Sequence, residues 1–296
     1  MSRRTLIDSW LMADAAKQRG FTLIELIIVI VVLAIMSFGT TQFIVNSSQS
    51  YMDTAVRERE GSAARMVVEK ITRELRGALP NSVRVIDLDG SLSGDNQGDC
   101  LEFVPALGGS IYTSLPRLGS AASFSSVPFE VGGAPPVSSS LGSISRAAVY
   151  PINTADIYAL SASSAISSEI DTGSVLEGST EVTVLLQASH QFPLDSPSKR
   201  WFMVTAPVSF CIGADGQLFR YGDYGFIDTP QPTPGGFGGG SEQVPKRSLL
   251  AKGASGGFVM VPATLQRNAL VQLNLDIRDR GEGVTISHEV QMRNVP

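Results

Sequence analysis

The chain has 296 residues, of which 43% are hydrophobic, and a formal net charge of −5. It is therefore long enough to bury a sizeable core, and its acidic balance offers no basic surface of the kind that neutralises nucleic-acid phosphates. Two histidines and two cysteines supply few groups for a metal site or a histidine-based catalytic triad, so the composition argues against an enzyme.

The first predicted element is a transmembrane helix over residues 21–44. Eleven consecutive apolar residues run from Leu26 to Met36, and the apolar character extends over about 20 positions, which is enough to cross a bilayer. The positive-inside rule predicts a cytoplasmic N-terminus and a C-terminal part on the other side of the membrane. The basic residues that precede the apolar run are Arg3, Arg4, Lys17 and Arg19.

Composition alone leaves two ordinary interpretations of this segment. A cleaved secretory signal would need a small-x-small site near Met36 to Thr41, and no convincing one is present. A plain single-pass anchor leaves Glu25 unexplained, because a lone ionised group costs about 2.5–3.5 kcal/mol at the centre of a span and less near an interface.

A third interpretation comes from the stretch GFTLIE (20–25) followed by the apolar run. This pattern resembles the class III signal of type IV prepilins and type II secretion pseudopilins. The resemblance implies that residues 1–20 are a leader peptide, which the prepilin peptidase removes between Gly20 and Phe21. It further implies that Phe21 is then N-methylated and that the apolar helix is kept.

The same resemblance assigns a role to Glu25, the fifth residue of the mature chain. In that family the corresponding glutamate faces the N-terminal amine of a neighbouring subunit during docking, and a carboxylate in low dielectric is tolerated when it is paired. The implied partners are the prepilin peptidase, other major and minor pilins, the inner-membrane pilus assembly platform and membrane lipid. Neither a cofactor nor a nucleic acid is expected.

The helix is predicted to continue to residue 79, so that it spans residues 21–79 with an amphipathic second half over 45–79. Apolar residues there recur every three or four positions, and Asp53 with Arg57 and Glu69 with Arg73 have the spacing of helical ion pairs. Gly77 and Pro80 supply a stop signal.

Residues 80–296 are predicted to form a β-rich globular head. The final hairpin is the clearest case: apolar and polar residues alternate over 271–278 and 284–292 around a turn at 281–283, and His288 falls on the dry face as a hydrogen-bonded core residue. The expected fold class is therefore α+β and type IV pilin-like, with a long helix packed on an antiparallel sheet. The other predicted strands are NSVRVIDL (81–88), DCLEFVP (99–105), TEVTVLLQ (180–187), RWFMVTAPVSFCI (200–212), GQLFRYG (216–222) and GFVMVP (257–262).

Two stretches, 106–168 and 228–245, are rich in Gly, Ser, Ala or Pro and weakly charged. They are predicted to be long surface loops around a small sheet. The functional alternative is that they form an adhesive or subunit-contacting surface.

The acidic loop 87–100 is a candidate calcium site, because Asp87, Asp89, Asp95 and Asp99 could supply oxygen ligands. It does not have the EF-hand order, so a solvated turn without metal is the preferred interpretation.

The two cysteines lie at the beginning and end of predicted strands. Export to an oxidising compartment favours a disulfide between Cys100 and Cys211, and free core thiols are the alternative.

Scattered blocks, among them ITRELRGALPNSVRV (71–85) and HEVQMRNVP (288–296), resemble the minor prepilins of mannose-sensitive haemagglutinin (MSHA) pilus biogenesis. The nearest alternative is a J-type or PilW-like minor pseudopilin. The resemblance implies a role in priming the filament or in its tip complex, with an adhesin displayed on the filament as the competing function.

Overall fold

The computed structural model describes residues 20–89, 91–128, 145–171, 180–227, 231–233, 236–238, 246–262, 268–279 and 282–292. It divides into two units, Met1–Ala55 and Val56–Pro296. The predicted leader, apart from Gly20, lies outside the described residues.

A long helix, α1, runs from Leu23 to Arg76. In the first unit its apolar side chains are all exposed, as expected for a segment that contacts lipid or other subunits. The helix ends three residues before the predicted boundary. Gly77 donates its N–H to the carbonyl of Glu74, and Ala78 already forms a β-bridge with Pro105, so the chain joins a sheet before it reaches Pro80.

The second unit contains the strands of the head, all paired antiparallel. Within the described residues they are β1 (Arg84–Ile86), β2 (Gln97–Gly98), β3 (Cys100–Phe103), β4 (Ala106–Ser114), β5 (Ala121–Ser126), β6 (Arg146–Ala148), β7 (Ile166–Glu169), β8 (Val182–His190), β9 (Arg200–Val204), β10 (Val208–Ile212), β11 (Gln217–Gly222), β12 (Gln231–Thr233), β13 (Gly236–Gly238), β14 (Lys246–Lys252), β15 (Ala254–Val261), β16 (Leu270–Asp279) and β17 (Glu282–Gln291), with a short helix α2 (Thr154–Tyr158) between β6 and β7.

The main core lies between α1 and two sheets. One sheet has the order β1-β3-β10-β11-β14 and the other β17-β16-β15-β2. Residues spaced by three and four along α1, including Ala64, Val68, Ile71 and Leu75, are buried with apolar residues of both sheets. The predicted α+β class, a long helix followed by an antiparallel β domain, is therefore confirmed.

A second core belongs to a sheet that closes on itself. Its order is β7-β6-β9-β4-β5-β8, and the two end strands meet through a bridge between Ile170 and Leu186 and a hydrogen bond from Asp171 N to Leu185 O of 2.8 Å. The result is a small antiparallel barrel. Its interior is filled by large side chains, among them Phe124, which meets Trp201 edge to face with ring centroids 5.1 Å apart.

The barrel shows that the prediction of a long surface loop over residues 106–168 is wrong. The described parts of this stretch contain β4, β5, β6, α2 and the start of β7, because serine and alanine can alternate in and out of a sheet as apolar and polar residues do. The stretch 228–245 also departs from a pure loop, since β12 and β13 pair there. The predicted strand 200–212 is in fact two strands, β9 in the barrel and β10 in the core sheet.

The final hairpin forms as predicted, with Leu275 opposite Ile286, but its turn is earlier than the predicted 281–283, because Glu282 and Gly283 already pair with Asp279 and Arg278. Residues 280–281 of its turn lie outside the described part of the chain. His288 shares the inner face as predicted, but it is half-buried and has no hydrogen bond to a described residue. The fully buried histidine is His190, whose Nε2–H donates to the Ser164 carbonyl at 2.9 Å.

Candidate functional site

The first feature of the site is the predicted cleavage point between Gly20 and Phe21, where both residues are exposed. Phe21 is 84% exposed, and a Cβ placed on Gly20 would meet no atom within 4 Å. Nothing in the described chain therefore requires glycine at position 20. A requirement for glycine there would have to come from an enzyme that acts on this segment.

Thr22 and Glu25 form a reciprocal cap on the first turn of α1. The Glu25 backbone N–H donates to Thr22 Oγ1, and Glu25 Oε2 accepts from the Thr22 N–H and hydroxyl, each at 3.2 Å. This is the capping box that threonine and glutamate form when two residues separate them. Glu25 thus satisfies helix-end donors of its own chain, and its Oε1 accepts no hydrogen bond from a described residue.

The capping box was missed in the sequence analysis although its signal was present. T-x-x-E before an apolar run is the usual sequence sign of a helix N-terminus.

The segment that follows the cap is the one part of the described chain in which a helix is long and apolar enough to cross a membrane. None of its most apolar stretch is buried within the protein. An unpartnered apolar surface of this length has to be covered by lipid or by other subunits.

The disulfide joins Cys100 of β3 to Cys211 of β10, which stand directly opposite each other in adjacent antiparallel strands. Both residues are buried, in a cluster with Ile86 and Tyr221. The bridge thus has the pairing that the sequence analysis favoured, and it closes a loop with a separation of 111 residues.

The four aspartates of the candidate calcium loop do not converge. Asp89 accepts from the Ser91 N–H at 2.8 Å, and Asp95 accepts from the Ser93 hydroxyl at 2.6 Å, so these carboxylates brace their own turns. Burial and then the nearby charge of Asp87 raise the pKa of Asp99. Among the described residues, no group of three or more His, Cys, Asp or Glu side chains could hold a metal ion.

A buried charge cluster, defined by Arg84, Glu102, Tyr158 and Tyr224, was missed in the sequence analysis. Arg84 of β1 and Glu102 of β3 are opposite each other and form an ion pair with side chains 6% and 0% exposed. The Tyr224 hydroxyl donates to Glu102 at 2.8 Å, and the Arg84 guanidinium lies 3.5 Å from the centroid of the Tyr158 ring. Burial alone would lower the pKa of Arg84, but the attraction of Glu102 raises it.

This cluster links two parts of the head, because Tyr158 belongs to the barrel connection whereas Arg84 and Glu102 belong to the core sheet. The sequence carried a signal for it: single charges interrupt the apolar runs SVRVI and CLEFV. Strands buried on both faces tolerate such charges only in pairs. Which of these charges pair depends on the order of the strands, and this order could not be predicted from the sequence.

Comparison with protein-family models finds the prokaryotic N-terminal methylation motif at residues 15–41. No curated protein and no solved structure matches the chain. The matched motif covers the predicted cleavage point, the capping box and nearly all of the predicted transmembrane segment 21–44.

The motif indicates a type IV pilin- or pseudopilin-like protein, and the exposed apolar helix with a β-rich head after it is consistent with one. The motif also suggests a structural role, and it implies processing by a prepilin peptidase and assembly with other pilins.

Proposed function

We propose that this protein is a minor pilin or pseudopilin that takes part in assembling a type IV filament, in its priming or tip complex. The observation that carries the proposal is the methylation motif on a helix whose apolar surface is bare over its whole first half. A helix of this kind is inserted in the inner membrane before assembly and surrounded by other pilin helices afterwards.

In this proposal residues 1–20 are the leader, Gly20 and Phe21 flank the cleaved bond, and Phe21 carries the methyl group. The head from residue 80 onwards folds in the periplasm, where oxidation supports the disulfide. Glu25 then pairs with the N-terminal amine of a neighbouring subunit. Its free Oε1 is compatible with that role, since the capping box uses the other oxygen.

Among filament systems we favour an MSHA-like pilus and a minor prepilin of the MshO type, on the sequence blocks named above. A J-type or PilW-like minor pseudopilin of a type II secretion or other type IV system is the alternative. The barrel gives one reason to retain an adhesin as a second candidate, because it is a folded unit with its own core, additional to the core sheet.

The proposal is tested by intact-mass analysis of the membrane-extracted protein together with immunoblots of sheared filaments. Cleavage after Gly20 removes 20 of the 296 residues, leaves a 276-residue chain that begins with N-methyl-Phe21, and shifts the formal net charge from −5 to −7. A mature chain that starts downstream of Met36 contradicts the proposal. In a deletion strain, loss of filaments supports assembly, whereas normal filaments that no longer attach support adhesion.

A further inference from the structure

The head has a groove of about 850 Å³ between the end of α1 and the outside of the barrel. The residues that matter to the argument are Arg76 at the end of α1, Ala78, Ile111 of β4, and Arg200 and Phe202 of β9, and together they are called the arginine groove. All of them lie in the second unit. The two arginines are exposed, and the lining of the groove also includes apolar residues, among them Ile111, whose side chain is 49% exposed.

One wall of this groove contains Gly109, where there is no room for a side chain. A Cβ on Gly109 would lie 3.0 Å from both Phe202 Cδ1 and the Trp201 carbonyl oxygen. The pairing of β4 with β9 also shifts register between Ala106 and Gly108, which bends the strand at the groove. A side chain at position 109 would therefore press on β9 in the wall of the groove.

The arginine groove carries uncompensated positive charge. Neither Arg76 nor Arg200 forms an ion pair with a described residue, and no acidic side chain is among the described residues that line the groove. Other arginines of the head do have carboxylate partners: Arg57 with Glu282, Arg84 with Glu102, Arg146 with Glu169, and Arg220 with Glu74. On a chain with a net charge of −5, two unpaired guanidiniums in one concave site favour an acidic occupant.

The same head presents a surface of the complementary kind. Asp89, Leu92 and Asp95 lie on the exposed turn between β1 and β2 and are called the acidic knob. Leu92 is 58% exposed, an unusual position for leucine on a turn between two aspartates. No basic residue occurs between Arg84 and Arg117.

Hydrogen bonds brace the described residues of the acidic knob. The Asp87 N–H donates to the Ser91 carbonyl at 3.0 Å, the Asn96 N–H to the Ser93 carbonyl at 3.3 Å, and the Gln97 N–H to Asp95 at 3.1 Å. Hydrogen bonds from Ser91 lower the pKa of Asp89, and hydrogen bonds from Ser93 and Gln97 lower that of Asp95, so both are ionised at neutral pH. A preordered, charged knob loses little conformational entropy on binding.

We propose that the acidic knob of one subunit docks into the arginine groove of a second copy of this chain, with Leu92 on the apolar floor and the two aspartates facing Arg76 and Arg200. The proposal rests on the proposed function as a filament subunit. Because the knob and the groove are made of different residues, the contact is heterologous and leaves a free knob and a free groove at its ends.

The test uses the full-length chain in membranes, with a photo-crosslinking residue at Ser110 in the wall of the groove and two differently tagged copies. The groove variant is Arg76→Glu with Arg200→Glu, and the knob variant is Asp89→Lys with Asp95→Lys. The matched control is Lys246→Glu with Lys252→Glu, which changes the net charge as much as the groove variant does, on exposed residues of β14. Disulfide formation and the melting temperature are compared for all of them.

Copy-to-copy crosslinking is expected to fall at least tenfold in the groove variant alone and in the knob variant alone, because like charges then face each other. Mixing the two variants restores crosslinking between them. The lysine knob of one variant fits the glutamate groove of the other, and the unchanged acidic knob fits the unchanged arginine groove. The control keeps wild-type crosslinking. The milder pair Arg76→Gln with Arg200→Gln, expected to fold normally, also lowers the yield at least tenfold.

Three results would overturn the proposal: wild-type crosslinking in the groove variant, no recovery in the mixture, or a Ser110 crosslink only to a different pilin. Leader cleavage and entry into filaments distinguish failure of the docking proposal from failure of the proposed function. If only the docking contact is wrong, the variants are still cleaved after Gly20 and still enter filaments. If the proposed function is wrong, even the wild-type chain is not cleaved there and is absent from filaments.

Discussion

Glu25 has two roles that one substitution can separate. In the structure it caps its own helix through Oε2, and in the proposed function it pairs with a neighbouring amine. Glu25→Gln keeps the first role, because glutamine serves in a capping box as well as glutamate does. It removes the second, because the amide turns a donor towards an ammonium group that is itself only a donor.

The expected loss is large. Breaking a buried ion pair by removing one partner costs about 3–5 kcal/mol, since the other charge stays in low dielectric. This corresponds to about a 100- to 4,000-fold drop in the equilibrium for docking. We therefore expect Glu25→Gln to be cleaved and inserted normally but to be absent from sheared filaments and from crosslinks to other pilin subunits.

Thr22→Val is the matched control, since it removes the capping hydroxyl and leaves the charge. Loss of a cap costs about 0.5–2 kcal/mol, so its incorporation should fall far less than that of Glu25→Gln. Wild-type incorporation of Glu25→Gln would refute the charge-pairing argument. Equal losses in both variants would show that Glu25 acts through the helix cap.

Other perturbations test the rest of the chain. Gly20→Asp should block leader removal and leave the melting temperature of the head unchanged, because no atom of the chain crowds that position; intact mass and thermal unfolding check both. Cys100→Ser should lower the free energy of unfolding by up to about 4.7 kcal/mol in the chain-entropy model, measured by denaturant titration, and rapid labelling of both wild-type thiols without unfolding would speak against the bridge. Glu102→Gln should cost about 3–5 kcal/mol by leaving Arg84 unpaired, whereas the double variant Arg84→Met with Glu102→Leu should recover most of that loss. Burial lowers the pKa of His190, so the unfolded chain takes up a proton first, and stability should fall as the pH drops below about 6.5. His190→Gln keeps a donor for the Ser164 carbonyl and should flatten that pH dependence, and an unchanged profile would contradict the assignment.

The long helix and the final hairpin could be predicted because their determinants are local. The span of α1 follows from a continuous apolar run and from apolar residues spaced by three and four after it, and the final hairpin follows from strict alternation in both of its strands. Each of these signals is read within a window of a few turns or strands.

The barrel could not be predicted in the same way. Strands β4 and β5 are built from Gly, Ser, Ala and a few large residues, so their alternation is hidden in a composition that is typical of loops. Whether these segments form strands also depends on their pairing partners. Strand β4 lies between β5 and β9, and β9 is far along the chain. For the same reason the partnership of Arg84 with Glu102, and the meeting of Arg76 with Arg200 at one groove, depend on tertiary structure.

The position of the disulfide has a mechanical consequence. Strands β4 to β9 of the barrel all lie between Cys100 and Cys211, whereas α1 precedes the bridge and the final hairpin follows it. Tension between these two parts passes through covalent bonds from Cys100 directly to Cys211. The barrel strands therefore carry none of this force. A pull on the subunit should leave the barrel folded for as long as the disulfide is oxidised. After reduction, the same pull would run through every barrel strand in turn.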